Sequence, residues 1–410
     1  MSAEPKPNKG HRQFTSPLLL ARAPGSNDNE WSRQASLALS PDGTPYVAWV
    51  NDNGYYAEIY IRRWNGTVWE EVGTGSATGG GISQNVGLSF YPSLAIAPDG
   101  TPYVAWQVYN PGSTQIYILR WNGNVWEEVG AGSASGGGIS NSSGNAHYPS
   151  LKIASDGTLY VAWFDDQSGN PEIYVMHWNG SVWEEVGEGS ASGGGISNTP
   201  GYSTYHAMAL APNGEVYVAW SDDSSNKDEI YLRRWNGTAW EEVGTGSATG
   251  GGLSNLAAYS ARPSVAVASD GTPYIAWYSE NASLAEIRVH TWNGTTWENI
   301  PTTISMNVDT CCHTGWPGYL TIALAPNDTP YLTWNQDNDG LDYEINILRW
   351  NGAEWEEVGP GSASGGGISN NSGASTMPAI AFSANGTPYV AWEDWSNGSV
   401  GEIYVLRYPK

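Results

Sequence analysis

Apolar positions along this chain come in short bursts. Between residues 93 and 130 they read "SLAIA", "PYVAW", "QIYILRW" and "VWEEVG", with turn chemistry such as "PDGT" and "WNGN" between them. Runs of this length, rich in β-branched and aromatic residues, predict β-strands. Asp-Gly and Asn-Gly supply residues that tolerate the positive φ of tight hairpins. The four runs, named A to D in chain order, predict a four-stranded antiparallel unit.

The unit recurs. "PDGTPYVAW" at 41–49 returns unchanged at 98–106 and then as "SDGTLYVAW", "PNGEVYVAW", "SDGTPYIAW", "PNDTPYLTW" and "ANGTPYVAW", closing on Trp49, Trp106, Trp163, Trp220, Trp277, Trp334 and Trp392. The spacing is 57 residues five times and 58 once. A second phrase, "EIYIRRWNGTVWEEVG" from Glu58, follows in each unit, but the seventh copy stops at "EIYVLRYPK" without its "WEEVG" strand. Counting back 57 residues from Trp69 lands on Arg12 in "HRQFTSPLLLA", so an N-terminal strand is expected to complete the last unit. A ring closed this way leaves no open sheet edge. The predicted fold is all-β: a seven-bladed β-propeller of four-stranded antiparallel blades. Residues 11–410 form the single expected domain, after a polar, Pro-rich segment 1–10 expected to be disordered.

The run "VAWSDDSSNKDEIYLRRWNGTAWEEVG" (218–244) resembles the sialidase-like, BNR-repeat propellers, which commonly read V-x-W-x-D, then E-I-Y, then an Asp-box turn. Here "RWNGTAW" occupies the Asp-box turn, with Asn-Gly in place of its Asp and Gly. The resemblance covers the whole ring and implies a scaffold that serves lectins and glycosidases alike. Catalytic sialidases of this kind use an arginine triad, an acidic acid/base and a tyrosine nucleophile, typically on six blades. This chain departs in blade number, and of its arginines only Arg33 and Arg262 fall near the expected mouth of the ring. It resembles a non-catalytic, lectin-like member.

Repetition allows subtraction. Of 22 tryptophans, seven end strand B, six precede the Asn-Gly turn and six begin strand D. Trp31, Trp316 and Trp395 remain, all in B–C or D–A connections of neighbouring blades 1, 6 and 7. Those connections carry the variation between repeats, and sites belong on variable loops held by a rigid scaffold. The Gly-rich "GSATGGGIS" linker joins most blades, but the 5/6 linker becomes "IPTTISMNVDTCCHTGWPG". The expected ligand-binding sector is therefore Trp31, Arg33, Cys311, Cys312, His313, Trp316, Glu393, Asp394 and Trp395. Adjacent Cys311 and Cys312, the only two cysteines, could close a strained vicinal disulfide, and strain of that kind is often found at ligand sites.

Two further columns face the same side. Three residues past each strand-B tryptophan stand Asp52, Tyr109, Asp166, Asp223, Glu280, Asp337 and Trp395; fifteen before it stand Gln34, Tyr91, Tyr148, Tyr205, Arg262, Tyr319 and Met377. Carboxylates accept hydroxyl hydrogen bonds and ring faces cover C–H patches, which is equipment for sugars. "NQDNDG" (335–340) has half of a calcium loop in Asn335, Asp337 and Asp339, without the twelfth-position glutamate, so calcium is a weak expectation and no other cofactor is implied.

Composition narrows the partners. With 41 acidic and 17 basic residues the net charge is −24, which argues against nucleic acid and anionic membranes. No apolar run is long enough to span a bilayer. "MSAEPKPNKG" reads as a mature N-terminus. The sequence thus predicts a monomeric, secreted or cell-surface propeller that binds a glycan or other cell-surface ligand. The alternatives are a protein-interaction scaffold and a sialidase-fold glycoside hydrolase, for which no carboxylate pair stands out.

Overall fold

The computed structural model describes residues 18–21, 30–84, 87–256, 258–280, 284–302, 304–307, 319–337, 343–396 and 400–408. Seven antiparallel sheets form, one per repeat. Blade 1 is typical: strand A is Trp31–Leu39, B is Pro45–Asp52, C is Ala57–Trp64 and D is Trp69–Glu71. Blade 7 takes its outer strand from the N-terminal side, Leu18–Ala21, in register with Ile403, Tyr404 and Val405 of its strand C. The closing strand expected near Arg12 is thus found at Leu18–Ala21. Blade 5 adds a short fifth strand, Ser305–Asn307, paired to its strand C, so the irregular 5/6 linker begins as sheet.

The turns work differently from the simplest reading of Asp-Gly and Asn-Gly. Only the glycine takes positive φ, +85° at Gly43 and +97° at Gly66. The preceding acid or amide serves as an acceptor instead. Asp42 Oδ1 takes the Thr44 amide at 3.0 Å, and Asn65 Oδ1 takes those of Thr67 and Val68, each at 3.0 Å.

Strand B is buried along its whole length in blade 1, because both faces of each sheet lie against neighbouring blades. The strand-B tryptophans are at most 2% exposed. The "WEEVG" segment explains how blades join. The strand-D indole of Trp126 donates from Nε1 to the Val72 carbonyl of the preceding blade at 2.8 Å, and Trp183, Trp240 and Trp297 repeat the bond on Val129, Val186 and Val243. The glycine after each valine makes room for a second indole: a Cβ on Gly130 would lie 2.5 Å from Trp178. The second glutamate of the motif, Glu71, takes the amides of Gly75 and Ala77 and fixes the Gly-rich linker. Burial opposes its charge, yet those amides prevail and hold its carboxyl below the ordinary range.

The clasp fails where the linkers depart. Trp69, after the 7/1 closure, and Trp355, after the 5/6 linker, have buried indole nitrogens without a hydrogen-bond partner among the described residues. This comparison isolates one bond. Trp183→Phe and Trp69→Phe remove the same atoms, but only the first loses an interblade hydrogen bond. Trp183→Phe is expected to cost about 1 kcal/mol more, the net worth of such a bond, in paired thermal or denaturant unfolding. Equal losses would show that the clasp contributes nothing.

Candidate functional site

Each strand A lies innermost, and six of the seven carry a register break two or three residues before the position that begins their regular pairing with strand B: between Arg33 and Ser36, Phe90 and Ser93, His147 and Ser150, Thr204 and Ala207, Ala261 and Ser264, and Thr376 and Ala379. The residue at the break takes positive φ although none is glycine: Gln34 58°, Tyr91 53°, Tyr148 54°, Tyr205 48°, Arg262 57° and Met377 55°. Bulges re-aim side chains, and left-handed backbone at bulky residues is strain that persists only where the surroundings enforce it. Neighbouring blades supply that enforcement. The bulge amides of Gln34, Tyr91, Tyr148 and Arg262 are taken by Glu393 (3.1 Å), Gln34 (2.8 Å), Gln107 (2.9 Å) and Ser221 (3.1 Å) of the preceding blades. Below them a belt of hydroxyls repeats the idea, with Ser36, Ser93 and Ser264 Oγ accepting the next blade's amides of Leu94, Leu151 and Ile322.

These six residues and Tyr319 ring the mouth of a central cavity of about 720 Å³. The Tyr91 and Tyr148 rings lie 4.1 Å apart with their hydroxyls hydrogen-bonded at 3.2 Å, and Phe164 stacks behind Tyr148. Across the mouth the Arg262 guanidinium is sandwiched, 4.7 Å from the Tyr205 ring centre and 5.1 Å from that of Tyr319. Burial pushes Tyr319 up to about 12, against the opposing pull of Arg262, and burial likewise raises Tyr148, helped by its bond to Tyr91. These phenols stay neutral donors at physiological pH.

Of the expected site residues, Trp31, Arg33, Glu393, Asp394 and Trp395 come together at the blade 7/1 seam beside this mouth. Trp31 is 37% exposed and stands opposite Asp52 in the sheet. Arg33 pairs with Asp52 and sits 5.6 Å over Phe90. The Trp395 indole donates to Glu393 Oε1 at 2.8 Å, and its ring lies so close to Gly401 that a Cβ there would be 3.3 Å away. Asp394 is buried, and its oxygens are occupied by Ser375, Ser396 and the Trp392 indole, so it braces the loop. Cys311, Cys312, His313 and Trp316 lie outside the described residues, as does Asp339. Asn335 is 3% exposed and accepts the Tyr319 amide; among the described residues no cluster of three metal-ligating side chains occurs.

The acidic column also turns inward on the scaffold. Asp52 is paired with Arg33, Asp166 takes the Asn145 amide at 2.7 Å, and Asp223 takes that of Tyr202 at 2.6 Å. The aromatic column, visible in the repeats but not assigned to the site from sequence, forms the mouth. Two cavity residues were missed outright. Lys152 occupies a position where the other six blades have Ala38, Ala95, Ala209, Ala266, Ala323 and Ala381, and His206 stands where four blades have proline. For Lys152 the signal was available as the departure from an otherwise uniform alanine column.

The exposed aromatics share one side. Trp31, Tyr55, Tyr56, Tyr109, Tyr202 and Tyr259 all belong to B–C loops or to segments leading into strand A, while the exposed Val68, Val125 and Val182 lie in C–D turns on the opposite face.

Comparison with known proteins defines the class. No family model matches the chain, and no curated protein matches it in sequence. Among solved structures, the polysaccharide lyase Uly1 matches over 92% of this chain and 90% of its own, with a TM-score of 0.56 at 12% identity. A protein of unknown function from Dyadobacter fermentans matches over 97% and 99% (TM-score 0.48, 12% identity), and the β-propeller domain of the Trilobed protease from Pyrococcus furiosus over 93% and 98% (0.47, 12%). At such identities the likeness is one of fold. The chain is similar to β-propellers in general, without singling out the sialidase-like repeat. Among the described residues no helix is long and apolar enough to cross a membrane.

Glu393 offers a pH test of this seam. Burial pushes its carboxyl up, against the Gln34 amide and the Trp395 indole. A raised value means the folded protein holds the proton more tightly than the unfolded chain does. The stabilisation is full below the ordinary value of 4.5 and is lost as pH rises through the raised one. Glu393→Gln cannot ionise, so its stability relative to wild type should improve as pH rises above the ordinary value of 4.5 in thermal melts. A difference that stays constant with pH would refute the burial of a titrating Glu393.

Proposed function

We propose that this protein is a carbohydrate-binding propeller of the sialidase-like, Asp-box-related kind, secreted or displayed at a cell surface. It engages saccharide at the mouth of the central channel. One observation carries the reading: six strained bulges spend backbone energy to turn tyrosine, arginine, glutamine and methionine toward one 720 Å³ cavity. A scaffold has no need of that strain, since a seven-fold ring of small residues would close equally well. Rigid aromatic faces bracketed by hydroxyl and amide donors suit sugar rings, which present C–H patches and hydroxyls together. The exposed aromatics on the same face, with Trp31 and Trp395 at its 7/1 rim, extend that surface for a longer glycan.

Binding is favoured over hydrolysis by the cavity wall. Glycoside cleavage needs two carboxylates flanking the scissile bond. Among the described residues lining the cavity there is no Asp or Glu, and Asp52, Asp166 and Asp223 at the B–C loops are engaged in an ion pair and loop caps. A glycan array, followed by calorimetry on any sugar retained, tests the reading. Tyr148→Met places at the mouth the residue that blade 7 already carries there, so the backbone accepts it. Together with Trp395→Ala it should weaken binding by about fivefold per variant, the effect of losing about 1 kcal/mol of ring contact. A sugar bound with full affinity by both variants would put the site elsewhere, and a saturable protein partner with no sugar competition would establish an interaction scaffold instead.

A further inference from the structure

The protein is strongly acidic, yet its central cavity carries the opposite charge. Arg262 and Lys152 are the only Asp, Glu, Lys or Arg side chains lining it among the described residues. Elsewhere most cations are matched: Arg33, Arg63, Arg120, Arg234, Arg288 and Arg349 each pair with a carboxylate, Lys227 pairs with Glu229, and Arg233 and Arg407 are held by the Ile196 carbonyl and the Tyr389 ring. Neither Arg262 nor Lys152 has such a partner among the described residues, although the chain holds 41 acids. Arg262 is held flat between two tyrosine rings, and its buried Nε has no hydrogen-bond partner. Lys152 extends into the channel from a position that six blades fill with alanine, and those alanines leave its head group room. It lies four residues past Tyr148 on the same strand, on the order of 10 Å deeper than the mouth. Its side chain is open to the solvent of the channel, while the surrounding protein pushes its ammonium below the ordinary lysine range. His206, on the same wall, has two buried ring nitrogens without a well-formed hydrogen bond.

Unpaired cations in a confined channel are what an anion fills. A neutral sugar would leave both charges buried beneath it without compensation, which is costly. We propose that the central channel takes an acidic saccharide, its carboxylate or sulfate held by Arg262 at the mouth and by Lys152 beneath. This rests on the carbohydrate reading and specifies its ligand class. The surrounding negative surface then sets specificity by repulsion: a polyanion is rejected everywhere except on the axis, where a chain end can enter.

The test uses a panel of uronate-bearing and sulfated oligosaccharides, each paired with its carboxyl-reduced or desulfated counterpart. Binding is measured by calorimetry at low and at physiological salt. The substitutions are those the other blades vouch for: Lys152→Ala installs the residue of six blades, and Arg262→Tyr that of four. The expected result is an acidic member bound at least tenfold more tightly than its neutral counterpart. Each variant should lose about tenfold of that preference and show a shallower salt dependence, with the melting temperature kept. The uronate and sulfate arms identify which acid is recognised. Equal affinity for both members of each pair, or an acidic preference untouched by both variants, overturns this inference and leaves the carbohydrate reading standing. No binding of any saccharide, acidic or neutral, overturns both.

Discussion

Everything in this molecule depends on how one blade's edge meets the next. A four-stranded sheet of this size cannot bury enough surface alone, and each blade solves the problem by offering both faces to neighbours. The strand-B indoles fill the space between them, and the strand-D indoles reach across to a valine carbonyl. The "WEEVG" phrase is therefore a joint: valine supplies the acceptor, glycine the clearance and glutamate the anchor for the linker. Because seven blades must close a circle, the first strands are forced side by side around an axis. The channel is a by-product of closure.

The architecture was legible because the constraint it answers recurs at a fixed interval. Seven tryptophans at one spacing define the blades, and the missing seventh outer strand announces the closure that Leu18–Ala21 provides. The site was legible only in part. The 7/1 seam residues Trp31, Arg33, Glu393 and Trp395 do converge, since they were found as departures from the repeat. Asp394 was a departure in name only: its counterparts Asp165 and Asp222 hold their loops in the same manner. The tyrosine and arginine column escaped assignment for a local reason. Tyr91 and Tyr148 precede prolines, and a residue before proline is expected to be extended. Here φ is +53° and +54° instead, because a side chain of the preceding blade captures the amide and enforces the bulge. No local sequence rule contains that interblade bond.

Charge shows the same division between scaffold and addition. Paired cations on strands B to D belong to the repeat and recur with it, as Arg63–Glu70, Arg120–Glu127 and Arg349–Glu356 illustrate. Such exposed pairs contribute little to stability. The two cations of the cavity wall, Lys152 and Arg262, occur once each, on the inner strand, where repetition would have placed alanine and tyrosine. Near-identical blades thus act as internal controls. A residue that six copies do without is explained by something other than folding.

The indole clasps also divide the circle unequally. Trp126, Trp183, Trp240 and Trp297 lock blades 1 to 5 to one another in sequence, whereas Trp355 and Trp69 reach no carbonyl among the described residues, and blade 7 closes on a strand that has no indole to offer. The ring is thus an arch of five clasped blades completed by a two-blade keystone, whose seams rely on packing and on bonds such as those of the Gln34 amide to Glu393 and the Ile322 amide to Ser264. The seams that lack the clasp fall on blades 6 and 7, the same sector where the sequence abandons the repeat.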